Sequence, residues 1–392
     1  MDALLTYSKL IPVEKGVMEL SGEERIRRLT PFLLQWYEEN RRILPWRENP
    51  VPYYVWISEI MLQQTRVEAV KPYFMRFIGK LPDIQALAAA EEEVLLKLWE
   101  GLGYYNRARN LQKAAKIVVE QYGGELPADY ERLLALPGIG SYTAGAIASI
   151  AYGICAPAVD GNVLRVLSRL CSDDRDILKQ SVKKSVEEQL LAVMPKEAPA
   201  AFNQALMELG AVVCQPNGEP KCGECPVSSF CLAHAQGNEL FYPVKKPKKE
   251  RRREERTILV LHEMQELGER IAIEKREEKG LLAGLYEFPN LEGKLSEDEV
   301  ISYVQECGYG VKRIEKLASA RHIFSHVEWH MSGYELWIDQ REQIQGNLLF
   351  VELSQLKEEY PLPNAFAIYK KRLGLMDSER KDELKSKDDE RQ

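Results

Sequence analysis

Apolar side chains recur at three- and four-residue intervals from Thr30 to about residue 235, the period of helices that each bury one face. Thr30-Pro31 reads as an N-cap followed by proline at the first helical position, and further helices are predicted over 54–64, 67–79, 91–102, 107–122, 129–136, 142–152, 163–170, 181–193 and 198–213. Gly79, Gly101, Gly123 and Gly153 fall where C-caps belong. From residue 257 the period changes to two. Stretches at 257–262 and 270–274 flank Leu267-Gly268-Glu269 as a hairpin, and 334–338 forms a further strand. The capping box Ser296-x-x-Glu299 starts one helix, and 364–374 makes another. The fold class is therefore mostly α: a helical domain (30–235) after an N-terminal extension (1–29), then a smaller α+β domain (257–375).

Between these domains, 236–256 reads as a basic linker. Its second half, Val244 to Arg256, carries eight Lys or Arg against three Glu and almost nothing to bury. The tail at 376–392 is charged and expected to be disordered.

A chain of 392 residues with 45% hydrophobic and 29% charged positions has ordinary globular composition, which excludes a collagen, a disordered chain or a disulfide scaffold. The longest apolar run, Gly145 to Ala158, falls short of the roughly 20 residues of a membrane span, and the first ten residues do not read as a secretory signal. A cytoplasmic monomer is expected. A formal charge of −7 means that any contact with nucleic acid comes from a local basic surface.

Four of the seven cysteines, Cys214, Cys222, Cys225 and Cys231, lie within 18 residues, which in a reducing compartment indicates a metal site. Their C-x7-C-x2-C-x5-C spacing contains one short pair, whereas structural zinc sites usually have two. Cys155, Cys171 and Cys307 are expected as buried thiols.

Three further features carry chemistry. Leu136-Pro137-Gly138-Ile139-Gly140 lies between two helices, where glycines can turn successive amides outward as a phosphate site, although the same turn also serves as a plain helix connection. About 20 residues later, Asp160 precedes the next helix. The helix dipole there favours an ionised carboxylate suited to a developing cation, but an isolated aspartate at that place is an ordinary cap. Glu59 sits among Val55, Trp56, Ile60, Met61 and Leu62, a setting that raises a carboxyl pKa and keeps its proton near neutral pH.

Together with Leu44-Pro45-Trp46-Arg47 and the segment from Pro52 to Val67, these motifs resemble the MutY-type adenine DNA glycosylases of the helix-hairpin-helix superfamily, from about Thr30 to about Gly374. The resemblance implies a helical glycosylase domain with a 4Fe-4S cluster on the four cysteines, although the family's first cysteine spacing is usually six residues. It implies Glu59 as the proton donor to adenine N7 and later the base for water, Asp160 as the opposing charge, Tyr142 at the pocket mouth, and Asn162 beside the aspartate. Arg47 and Gln204 match residues around the flipped adenine. Gly138 and Gly140 match the DNA-backbone hairpin, and Gln64, Thr65, Leu102 and Tyr104 match residues near the opposite base. Residues 279–290 and 321–329 resemble the Nudix-like C-terminal domain of the same enzymes, whose Phe324-Ser325-His326 loop recognises 8-oxoguanine. The segment 296–307 lacks the acidic pattern of Nudix hydrolases.

Tyr142 stands where bifunctional relatives resembling endonuclease III carry lysine, so the implied product is an abasic site. The implied partner is duplex DNA holding adenine opposite 8-oxoguanine or guanine. Two other readings are an endonuclease III-like glycosylase/lyase and a non-catalytic iron-sulfur DNA-binding protein. Tyr142 and the second domain argue against the first, and the joint presence of Glu59, Asp160 and Tyr142 against the second.

Overall fold

The computed structural model describes residues 19–246, 250–265, 268–340 and 348–375; the expected tail and Leu267 of the expected turn lie outside these. Helices α1 (Gly22–Asn40), α2 (Pro45–Glu48), α3 (Pro52–Leu62), α4 (Val67–Lys80), α5 (Ile84–Ala89), α6 (Glu92–Leu98), α7 (Asn106–Tyr122), α8 (Tyr130–Leu134), α9 (Ser141–Tyr152), α10 (Gly161–Cys171), α11 (Gln180–Val193), α12 (Pro199–Val212) and α13 (Leu232–Gln236) precede the first strand. The later elements are β1 (Arg252–Gln265), β2 (Gly268–Lys275), β3 (Tyr286–Glu287), β4 (Asn290–Glu292), α14 (Glu297–Glu306), β5 (Tyr309–Ile323), β6 (Val327–Gln340), β7 (Leu349–Glu352), α15 (Leu353–Glu358) and α16 (Ala367–Arg372).

Two compact units result. One takes Met1–Ala89 with Asn110–Lys248, the other Ala90–Arg109 with Lys249–Gln392. The first buries a core in which Leu29 and Leu33 of α1 join Val163, Leu167 and Leu170 of α10 and Phe202, Leu206 and Leu209 of α12. In the second, a seven-stranded sheet runs β3-β2-β1-β6-β5, with β4 on β1 and β7 on β2. Parallel pairing of β1 with β6 sets its centre, while β5 and β6 pair antiparallel.

Three differences from the periodicity have local causes. Helix α1 starts at Gly22 rather than at Thr30, because Ser21 caps it by accepting from the Glu24 amide and the buried Ile26 and Leu29 extend the apolar stripe backwards; Pro31 lies inside the helix. Residues 252–256, read as linker, form the start of β1, where backbone pairing with β6 decides over side-chain charge. The expected helix over 91–102 ends at Leu98, since Gly101 and Gly103 follow with positive φ. The Ser296–Glu299 capping box is present, and 364–374 divides into a 3-10 turn (Asn364–Phe366) and α16. Cys155, Cys171 and Cys307 are half-buried at the edges of their cores.

Candidate active site

One cavity of the first unit is lined by Arg47, Glu59, Thr65, Tyr142, Asp160, Asn162 and Gln204, so residues scattered over 158 positions of sequence (47 to 204) share a single wall. Glu59 enters from α3, whose buried Val55, Trp56, Ile60 and Met61 surround it and leave it 6% exposed. Burial pushes its pKa up to about 7, against the Tyr142 hydrogen bond that lowers it; Asp160 raises it further and Arg47 lowers it. Tyr142, in the first turn of α9, donates its hydroxyl to Glu59 Oε2. Burial beside two carboxylates holds that phenol well above its ordinary pKa, so it remains a donor.

Asp160 caps α10. Its Oδ1 accepts from the Val163 amide at 2.8 Å and its Oδ2 from Asn162 Nδ2 at 2.7 Å. The dipole was expected to favour the ionised form. Desolvation prevails instead and raises the pKa, opposed by those two donors and by Arg165. The aspartate thus has donors ready for its charged form, whereas Glu59 is placed to keep a proton. Such a separation of two carboxyl groups is what acid–base chemistry on a leaving group requires.

Two wall residues were missed in the sequence. Glu208, wholly buried and one turn after Gln204 on α12, receives Arg42 Nη2 at 3.0 Å and Arg47 Nη2 at 2.9 Å. Burial would raise its pKa, but the hydrogen bond from Arg42 and the charge of Arg47 carry it below the ordinary value. The signal was available: a glutamate four residues after Gln204 and flanked by Met207 and Leu209 had to find a cationic partner. Arg47 is thereby fixed at the pocket wall.

Of the other expected site residues, Thr65 alone shares this cavity wall. Gln64 is exposed and has positive φ. Gly138 turns the chain between α8 and α9 with φ of 78°, and a Cβ there would come within 2.7 Å of Asn110 Cβ, so glycine is required. Gly140 is the N-cap of α9 and offers no side chain to the first-turn amides, which leaves them available to an anion. In the second unit Tyr104 is 50% exposed, whereas Leu102 is buried at 7%. Phe324, Ser325 and His326 form the turn between β5 and β6; Ser325 and His326 are exposed, and Phe324 packs on Trp329 with ring centroids 5.0 Å apart.

The four clustered cysteines line a second cavity of the first unit. The seven-residue first interval closes on itself, with Gly218 at φ of 71° and the Lys221 amide returning to the Val213 carbonyl. Burial, with the Glu239 carboxylate beside it, pushes the Cys222 thiol up to about 11; burial and neighbouring cysteines push Cys231 up to about 12, with Cys225 higher still. Arg169 Nη1 donates to Cys214 Sγ at 3.2 Å, and Arg165 joins the Cys214 carbonyl at 2.8 Å to Asn162 Oδ1 at 2.8 Å. Among the described residues, the group whose ligand atoms all lie within 4.8 Å of one another is Cys222, His234 and Glu239, not the four cysteines. The four thiols share one cavity wall, and soft thiolates of this kind suit zinc or an iron-sulfur centre.

The HhH-GPD superfamily base excision DNA repair protein model matches residues 57–192, and the NUDIX domain model matches residues 260–371. The adenine DNA glycosylase of Buchnera aphidicola subsp. Schizaphis graminum is 36% identical over 302 residues, covering 76% of this chain and 85% of that protein. That of Mus musculus is 36% identical over 362 residues, covering 79% and 70%. A solved thermostable thymine-DNA glycosylase, 29% identical, covers 54% of this chain and 97% of its own with a TM-score of 0.48. By its identity to the curated relatives over most of both lengths, this chain belongs to the adenine DNA glycosylases, enzymes of base excision repair.

Proposed function

We propose that this enzyme hydrolyses the N-glycosidic bond of adenine paired with 8-oxoguanine, and less readily with guanine, in duplex DNA, leaving an abasic site without breaking the strand. The observation that carries this reading is the buried Glu59 carboxyl, its pKa near 7, held by the Tyr142 hydroxyl in the cavity that Asp160 also lines. Adenine leaves poorly as an anion. Glu59 donates its proton to N7 while the sugar acquires oxocarbenium character, and the Asp160 carboxylate stabilises that charge. Glu59, now ionised, accepts a proton from the water that attacks the sugar carbon. Asn162 and the Val163 amide hold Asp160 in position for this. Arg47, fixed by Glu208, and Gln204 face the base. No amine stands at position 142 to form a Schiff base.

Cys214, Cys222, Cys225 and Cys231 would hold one 4Fe-4S cluster, supported by the four cysteines round one cavity, their single short Cys-x-x-Cys pair, and the Arg169 donor on Cys214. Bound there, the cluster supplies a positive centre that keeps buried sulfurs as thiolates and clamps residues 214–231 together. The first-turn amides of α9, which the N-cap Gly140 leaves without a side-chain cap, suit a DNA phosphate. The Phe324-Ser325-His326 turn suits the opposite base, because 8-oxoguanine carries a donor at N7 where guanine has an acceptor.

The test uses four duplexes, with adenine opposite 8-oxoguanine, guanine or thymine, and an oxidised pyrimidine opposite guanine. The expected result is excision in the first two, with strands intact until alkali is added. Strand cleavage without alkali, or excision of the oxidised pyrimidine, would favour the endonuclease III-like reading.

A further inference from the structure

Within the second unit, the loop that leads from α6 into α7 is held in a strained form. Tyr104 adopts φ of 49°, between Gly103 at 71° and a helix, and its ring is half exposed. A non-glycine residue at positive φ costs energy and persists only where its surroundings determine it. From the first turn of α7, Arg107 Nη2 donates to the Leu102 and Gly103 carbonyls, each at 3.0 Å, and its guanidinium lies 5.7 Å from the Tyr104 ring centroid. Trp99 Nε1 donates to the Gly103 carbonyl at 3.1 Å.

A second set of bonds comes from the C-terminal end of the unit. Asn364 Nδ2 donates to the Gly101 carbonyl at 2.9 Å. Lys370, 5% exposed, ion-pairs with Glu100 Oε1 and donates to the Leu362 carbonyl at 3.0 Å. The other oxygen of Glu100 takes Lys97 at 2.7 Å, and Lys97 reaches the Tyr360 carbonyl at 2.9 Å. A buried lysine is rare unless paired, and such pairs add geometric definition more dependably than stability. Asn364 and Lys370 flank Phe366, which packs on Trp329 (centroids 6.3 Å), and Trp329 in turn carries Phe324.

We propose that Asn364 and Lys370 are positioning residues that clasp the Tyr104 loop and tie it, through Phe366 and Trp329, to the turn bearing Phe324, Ser325 and His326. This rests on the reading above that Tyr104 and that turn both meet DNA. The loop is then presented preformed, so that duplex binding does not have to order it. The loop and the turn that faces the opposite base engage the duplex as one body.

A double-mutant cycle tests this in the full-length enzyme, on an uncleavable adenine nucleoside analogue opposite 8-oxoguanine. Lys370→Met and Asn364→Ala should each weaken duplex affinity, the former by about tenfold. Single-turnover excision at saturating enzyme should change little. In a Tyr104→Ala background the same two substitutions should lose most of their effect, since the loop they hold meets the duplex through that side chain. A general folding defect would add in full. If Lys370→Met does not fold, the exposed Asn364→Ala decides alone. Should Tyr104→Ala leave affinity unchanged, the loop is not a DNA contact and the clasp falls with that reading. Should Tyr104→Ala weaken binding while the other substitutions add in full or do nothing alone, the clasp is overturned and the contact stands.

Discussion

Tyr142, in the first turn of α9, donates its hydroxyl to Glu59 of α3, so a neutral phenol and no amine orients the candidate acid. The bond lowers the Glu59 pKa against a burial that raises it to about 7. A general acid must be protonated. Excision should therefore be maximal below that value and fall as pH rises through it. A second decline should appear at low pH, as Asp160, raised above its ordinary value, takes up a proton. Tyr142→Phe removes the lowering bond, so the alkaline limb of the single-turnover rate profile should move to higher pH. An unchanged or lower limb would mean that Glu59 does not set it.

Glu208 holds Arg42 and Arg47 from a fully buried position. Glu208→Gln leaves two cations facing a neutral amide. Breaking a buried pair costs about 3–5 kcal/mol, and because the Arg42 side chain is one-third exposed the loss should fall near about 3. Its lowered pKa adds a pH signature. The stability it contributes is present above the ordinary glutamate value and is lost as pH falls through the depressed one, so denaturant curves of the two proteins should converge in acid.

Purified protein should be brown and contain about four irons per chain. Cys222→Ser should loosen 214–231 and weaken duplex binding more than it slows excision at saturation. One zinc and no iron would contradict the cluster assignment.

Replacing Phe324, Ser325 and His326 by alanine in the full-length chain should reduce the preference for 8-oxoguanine over guanine. Ser325→Ala alone should cost little, because one neutral hydrogen bond contributes only about 1 kcal/mol. The same rate ratio in all three proteins would show that this turn does not read the lesion. A truncated first unit would be a poorer probe, since residues 90–109 group with the second.

Much of this was legible because helical period and cap chemistry are local. The stripes of α3, α7, α9 and α12, and the Ser296 capping box, appear in the structure within a few residues of where the sequence puts them. What escaped depends on pairing across the chain. Long β5 has no clean alternation, because its register against β6 shifts at Val311/Arg313 and Leu317/Ala320, and Arg252–Arg256 became strand because β6 lies parallel beside it. In the site, Glu59 was readable from its apolar neighbours. The apolar neighbours of Glu208 mark it as buried, but its partners Arg42 and Arg47, some 160 residues upstream, are not legible, nor is the partner of Lys370, Glu100.

The central claim is that Glu59 delivers the proton that lets adenine leave. The measurement is single-turnover excision by Glu59→Gln on a duplex with adenine opposite 8-oxoguanine, beside its affinity for the same duplex. The account predicts that excision is abolished while affinity stays close to that of the unsubstituted enzyme. A residual rate within tenfold, about 1.4 kcal/mol of barrier, would contradict it.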